Sequence, residues 1–109
     1  MTTEHVVIFC TCPDHPCAEK LALGLVEGKL AACVNIVSGL MSIYPWKGKI
    51  ERDPEVLMVI KTHRDRYEDV EKYLREHHPY EIPEIVAMPV VSGSESYLQW
   101  VDAWVKPSS

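Results

Sequence analysis

Cys10-Thr11-Cys12-Pro13-Asp14-His15-Pro16-Cys17 places three thiols and an imidazole within eight residues. A second concentration of polar chemistry, His77-His78-Pro79-Tyr80-Glu81-Ile82-Pro83-Glu84-Ile85, sits much later in the chain. Thiolate and imidazole together suit copper and zinc, and neutral imidazole is the commonest metal ligand near neutral pH. The spacing is not that of a zinc ribbon, so the residues alone name neither an ion nor a coordination number. Cysteine in a buried strand is also an ordinary small hydrophobe, and that reading competes for Cys10. Cys12 shares a strand face with Cys10. A disulfide between the two would close a small, strained ring. Cys33 is expected in the core.

His77 falls on the apolar stripe of a helical pattern, where a histidine is more often a packed core residue than a ligand. His78 lies about 100° further round, so the two rings need not point the same way. Tyr80, Glu81 and Glu84 have catalytic side chains, but Pro79 and Pro83 make the stretch a stiff joint between a helix and a strand. No G-x-S-x-G, Walker loop or dinucleotide glycine fingerprint is present, and no nucleophile has a base in a recognised arrangement. The sequence therefore points to binding and away from an enzyme.

The elements that carry these residues follow from hydrophobic periodicity. Residues 6–12 are apolar on both alternating faces, as in a strand buried on both sides. Asp14 is placed to cap a helix with Pro16 in its first turn. Ala18, Leu21, Ala22, Leu25 and Val26 form the stripe of that helix, and Gly28 belongs to its C-terminal cap. From Ala31 to Thr62 the pattern is β, with Trp46-Lys47-Gly48-Lys49 as a hairpin turn. Ser38-Gly39 and Asp53-Pro54 mark bends, bulges or breaks. A second helix spans Arg64 to His78 with Tyr67, Val70, Leu74 and His77 on one face, and Pro79 ends it. Ile85 to Val91 is a strand with Pro89 at an edge or bulge. Ser94 or Ser96 caps a last helix whose stripe is Tyr97, Trp100, Val101 and Trp104. Pro107-Ser108-Ser109 is a frayed end.

This order is an α+β, ferredoxin-like βαββαβ arrangement plus a C-terminal helix, in one domain over residues 1–109. Right-handed crossovers put two helices on one face of an antiparallel sheet. The end of strand one, with Cys10 and Cys12, and the end of helix two, with His77 and His78, then share one end of the domain. Each hairpin arm of about 14 residues would be about 45 Å long if straight. A domain of this size is roughly 30–35 Å across. A ribbon that overhangs its own domain with Tyr44 and Trp46 near its tip needs a partner, most simply another copy of the chain.

Hydrophobic residues make up 47% of the chain and charged residues 25%, an ordinary globular balance. The net charge of −5 argues against nucleic acid as a partner. No apolar run reaches the roughly 20 residues that span a bilayer. Met1-Thr2-Thr3-Glu4-His5 lacks the n- and h-regions of a signal peptide. The expectation is a cytoplasmic protein, off the membrane, with reduced cysteines.

An ordered set of motifs resembles the CutA divalent-cation tolerance family from Val6 to Trp104. The set is Cys10-Thr11-Cys12-Pro13, Leu30-Ala31-Ala32-Cys33-Val34-Asn35-Ile36, Ser42-Ile43-Tyr44-Pro45-Trp46-Lys47-Gly48-Lys49, Val59-Ile60-Lys61-Thr62, His78-Pro79-Tyr80-Glu81-Ile82-Pro83-Glu84-Ile85 and Tyr97-Leu98-Gln99-Trp100. The resemblance implies a compact homotrimer, similar in architecture to PII signalling proteins, whose hairpins pair between subunits. It implies copper binding, with zinc or another divalent cation as alternatives, and a role in the response to metal ions. Its metal ligands map onto Cys10, His77 and His78, while Cys12 and Cys17 lie outside the family pattern. Animal members carry an N-terminal extension that this sequence does not show, which favours the bacterial type of role. The alternative is a PII-like module that binds a small anion or a partner protein in intersubunit clefts beside Tyr80 to Glu84, with Lys61 and Arg64 as anion receivers.

Overall fold

The computed structural model describes residues 3–107. Met1, Thr2, Ser108 and Ser109 lie outside the described residues, and with them part of the expected leaderless start and frayed end. The elements run β1 (His5–Cys12), α1 (His15–Glu27), β2 (Cys33–Trp46), β3 (Lys49–His63), a 3-10 turn (Arg64–Arg66), α2 (Tyr67–His77), β4 (Val86–Pro89) and α3 (Glu95–Val105). The sheet order is β2-β3-β1-β4 with antiparallel neighbours throughout. This is the expected βαββαβ α+β topology with an added helix.

Alternation along β1 sends Ile8, Cys10 and Cys12 inward. They meet Val56, Met58 and Ile60 of β3, Ala18, Leu21 and Leu25 of α1, and Val70 and Leu74 of α2 in one cluster. The opposite face of β1 is apolar too, and α3 covers its His5 end, where His5 Nε2 meets Asp102 Oδ1 at 2.8 Å, but not its middle. Val7 and Phe9 there stay partly exposed, beside Leu57 and Val59 of β3 and Val86 and Met88 of β4. The expectation that β1 is buried on both sides thus holds within the chain for one side only. Val86 and Met88 are about half exposed, at 48% and 51%.

Each helix starts and stops for a visible reason. The Asp14 side chain accepts from the Cys17 N–H at 2.9 Å, and a proline occupies the first turn of α1. Gly28 caps its end and donates to the Gly24 carbonyl. The sequence starts the second helix at Arg64, but a 3-10 turn comes first and the helix proper begins at Tyr67. It stops at His78, whose ψ of 140° is the extended backbone that a following proline demands. Replacing Asp14 by Ala should destabilise the fold by about 1 kcal/mol, seen as a lower denaturant midpoint with an unchanged slope. An unchanged midpoint would remove the cap from the account.

β2 and β3 form a hairpin that stretches the molecule to 45 × 28 × 22 Å. Its turn is two residues, Lys47 and Gly48, both at positive φ, which matches the right-handed twist of the arms. Ser38-Gly39 is the expected irregularity. Val37 pairs with Leu57 and Leu40 with Glu55, so two residues of β2 face Val56 alone, with Gly39 at φ 91°. Asp53-Pro54 does not break β3, where Pro54 pairs with Met41 inside the ladder. Pro89 sits on an edge strand, as its missing N–H requires.

α3 lies across the other end of the sheet. Val101 and Val105 pack on Ala32, the Trp104 indole donates to the Val26 carbonyl, and Arg66 donates to the carbonyls of Val105 and Lys106. Of the stripe expected to bury this helix, Val101 is buried and the three aromatics are not. Trp100 is 53% exposed and Tyr97 and Trp104 are also exposed, because two valines form the contact. Cys33, expected in the core, is half-buried on the uncovered face.

Candidate metal centre

At the end of β1 the topology gathers thiols and an imidazole, as the element order predicts. One donor atom each from Cys10, Cys12 and His78 lies within 4.8 Å of the others, and all three residues are buried. Cys10 and Cys12 arrive together because residues two apart on a strand share a face. His78 arrives because Pro79 ends α2 there, and its main-chain N–H still donates to Leu74 at 2.8 Å.

The His78 ring is fixed at both nitrogens. Nδ1 accepts from the Tyr80 N–H at 3.1 Å, which leaves Nε2 to donate to the Thr11 carbonyl at 2.8 Å. The ring therefore joins the end of α2 to the end of β1. Burial opposes its charged form, but the Cys12 thiol and the Thr11 carbonyl outweigh burial and raise its pKa above the ordinary histidine value. The Cys12 thiol is pushed far above the usual thiol range, first by its hydrogen bond with Cys10 and then by burial. Cys17, on the first turn of α1, is pushed up to about 11 by burial and by the neighbouring Cys12. These groups are thiols at neutral pH, so an ion that binds them displaces protons.

His77 stands apart from this group. It is exposed, not on the buried stripe, with Nδ1 on the Tyr73 carbonyl at 2.8 Å and its ring stacked on Tyr73. Of the residues that sequence and resemblance single out, the fold brings Cys10 and His78 together and leaves His77 on the surface. Cys12, outside the family pattern, is in the group, and the shared strand face was the signal for it.

The donor set suits a soft or borderline ion: two sulfurs and one nitrogen, with both sulfurs in the buried cluster that includes Ile8, Leu21 and Met58. The nitrogen joins only by giving up one of its two backbone partners.

Next to this group, a cleft of about 350 Å³ opens between the hairpin and the Tyr80–Glu84 turn. Tyr80 donates to the buried Glu55 carboxylate at 2.5 Å, and Tyr44 donates to Asp53 at 2.5 Å. Glu55 and Glu84 line the cleft, an acidic lining ill-suited to an anion. The two cations expected to receive an anion are held elsewhere. Lys61 bonds Asn35, and Arg64 pairs with Glu4 at 2.7 Å.

Comparison with known proteins agrees with the fold. A model of the family described as CutA1 divalent ion tolerance protein matches residues 6–104. The chain is 47% identical over 93 residues to the protein CutA homolog of Xenopus laevis, covering 85% of this chain and 62% of that protein. It is 44% identical over 100 residues to the divalent-cation tolerance protein CutA of Pectobacterium atrosepticum, covering 92% and 91% respectively. The chain spans only 62%, 55% and 52% of the length of the frog, Arabidopsis thaliana and human relatives that it matches. The crystal structure of CutA from Xylella fastidiosa superposes with a TM-score of 0.92 at 39% identity, over 94% of this chain and 99% of that one.

Proposed function

This chain belongs to the CutA1 divalent ion tolerance family, and from that premise we propose that it is a non-catalytic, trimeric metal-binding protein of the response to metal ions. It takes up copper, or zinc or another divalent cation, at the group formed by Cys10, Cys12 and His78, in a reducing compartment such as the cytoplasm. The observation that carries the proposal is the convergence of three buried donors within 4.8 Å. His77 is where the family pattern and this geometry part: exposed and held on Tyr73, it can serve only as an outer donor.

The trimer is supported by the middle of the sheet face opposite α1 and α2, which α3 leaves uncovered. A four-stranded sheet with helices on one side needs a second layer for its other side. Val7, Phe9, Leu57 and Val59 supply an apolar centre for that layer, and Ser42 and Tyr44 continue the same face along the hairpin, while Met41, Ile43 and Ile50 are exposed on its other face. A second or third copy of the same sheet would cover it with matching chemistry.

The test is titration calorimetry with copper on three variants. Cys10→Ser and His78→Ala should each weaken binding by about tenfold or more, because each removes one of the three donors. His77→Ala should stay within about threefold of the parent chain. Unchanged affinity and stoichiometry in both Cys10→Ser and His78→Ala would remove this site.

A further inference from the structure

The two ends of β1 carry different chemistry, and the metal group uses only the Cys12 end. At the His5 end a cavity of about 240 Å³ separates α3 from the sheet. Val7 of β1, Val90 just after β4, and Leu98 and Val101 of α3 give it apolar walls. Pockets for drug-sized ligands run to roughly 300–1,000 Å³, so this smaller one suits a single ring or a short branched chain.

Two polar side chains line this apolar space. Lys61 does so from β3, directly opposite Val7 in the register. Its ammonium donates to the Asn35 side-chain oxygen, a neutral acceptor, so that bond leaves its charge uncompensated. No carboxylate of the described residues lines the cavity. His5 forms another wall. Its ring is buried, with Nε2 on Asp102 Oδ1 at 2.8 Å and the His63 ring edge-on to it at 5.3 Å. Its Nδ1 is the one buried side-chain nitrogen or oxygen without a hydrogen-bond partner among the described residues. Groups of that kind are rare in folded proteins. An apolar cavity, an uncompensated cation and an unsatisfied imidazole nitrogen thus coincide at one corner of the fold.

We infer that this cavity binds a small monocarboxylic acid as its anion, with the carboxylate on the Lys61 ammonium and the hydrocarbon part against Val7, Val90, Leu98 and Val101. The contact is a charge-assisted hydrogen bond, and it strengthens as the body of the ligand excludes water from the ammonium. A dicarboxylate suits the cavity poorly, because its second charge would meet apolar walls without a cation. Val7 also belongs to the apolar centre of the uncovered sheet face, so an occupied cavity adjoins the surface at which copies of the chain are proposed to meet. The site stands apart from the metal reading, since neither the cavity nor its two polar groups involves Cys10, Cys12 or His78.

The experiment titrates the full chain with benzoate and, in parallel, with benzyl alcohol, its uncharged counterpart, and follows the His5 ring by NMR. Benzoate should bind saturably, one per chain, and the His5 ring signals should shift along the same curve. Benzyl alcohol should bind at least about tenfold more weakly, the worth of one charge-assisted hydrogen bond. Lys61→Met, which keeps an apolar stem and removes the charge, should lower benzoate affinity by a similar factor and leave benzyl alcohol unchanged. Leu98→Phe, which puts a ring into the cavity, should abolish binding of both probes. Equal affinity for the acid and the alcohol, or full benzoate affinity in Lys61→Met, overturns the inference. Binding that leaves the His5 ring signals unmoved places the ligand elsewhere and overturns it as well. So does a parent chain that binds neither probe. Unfolding midpoints of the two variants guard against reading a folding defect as lost binding.

Discussion

Val59→Asp should leave the chain folded and convert the assembly to monomers that sediment near 12.4 kDa rather than three times that mass. Val59 lies at the middle of the uncovered sheet face, directly opposite Phe9 in the β1–β3 register. Within one chain it is partly exposed, so a carboxylate there keeps its water and costs little. In an assembly that covers this face, the same carboxylate is desolvated without a cation. Burying an unpaired charge costs at least several kcal/mol at each copy, and a symmetric trimer incurs it three times. Sedimentation equilibrium of both proteins at micromolar concentration checks this. A variant that keeps the parent mass would place the interface elsewhere, and a parent that is already monomeric would end the trimer proposal.

Leu25→Ala should be the costliest of the simple truncations. Leu25 is fully buried on the inner face of α1, among β1, β3 and α2. Its loss removes several methyl contacts and leaves a cavity between two layers that cannot both move inward. The expected destabilisation is about 3 kcal/mol, within the range for buried leucines. Leu23, two residues earlier on the same helix, is largely exposed, and Leu23→Ala should change stability by no more than about 0.5 kcal/mol. Both are best measured by urea unfolding in the Val59→Asp background, because dissociation would otherwise add to the apparent stability. Equal effects at the two leucines would mean that α1 is not packed as described.

The helices were the most legible part of the fold because each carries its own period and its own stop. Asp14, Gly28, Pro79 and Ser94 act within a turn of the elements they bound, so their meaning is local. Where the sequence misleads, an aromatic or apolar residue answers to something outside its own element. Trp100 looks like core on a helical wheel, yet α3 meets the sheet through Val101 and Val105. β1 reads as buried on both sides because its outer residues are apolar, and within one chain α3 covers only the His5 end of that face. Cys33 fails for the same reason, since β2 places it on that outer face.

The candidate site was legible as a place and less so as a set of residues. Strand and helix directions brought Cys10 and His78 to one end of the domain without any distance being known. Which of two adjacent histidines turns inward is decided by the break before Pro79. His77, still helical, points out, and His78, already extended, reaches Thr11. Cys12 needed only the period-two rule to be placed beside Cys10. The hydrogen bonds that occupy both nitrogens of His78 depend on β1 and on the Tyr80 turn at once, and no local pattern encodes that meeting.

The irregularity at Ser38-Gly39 acts as a phase shifter in the hairpin. In an uninterrupted ladder Met41 and Ile43 would share the face of Glu55, and the extra residue hands that place to Ser42 and Tyr44. The phenol of Tyr44 reaches Asp53 because of this offset, and the cleft beside Tyr80 gains its polar wall from it. Length in this segment is therefore as constrained as composition. Loss of one residue near Gly39 would conserve almost every side chain in the hairpin and still turn the distal half of β2 inside out.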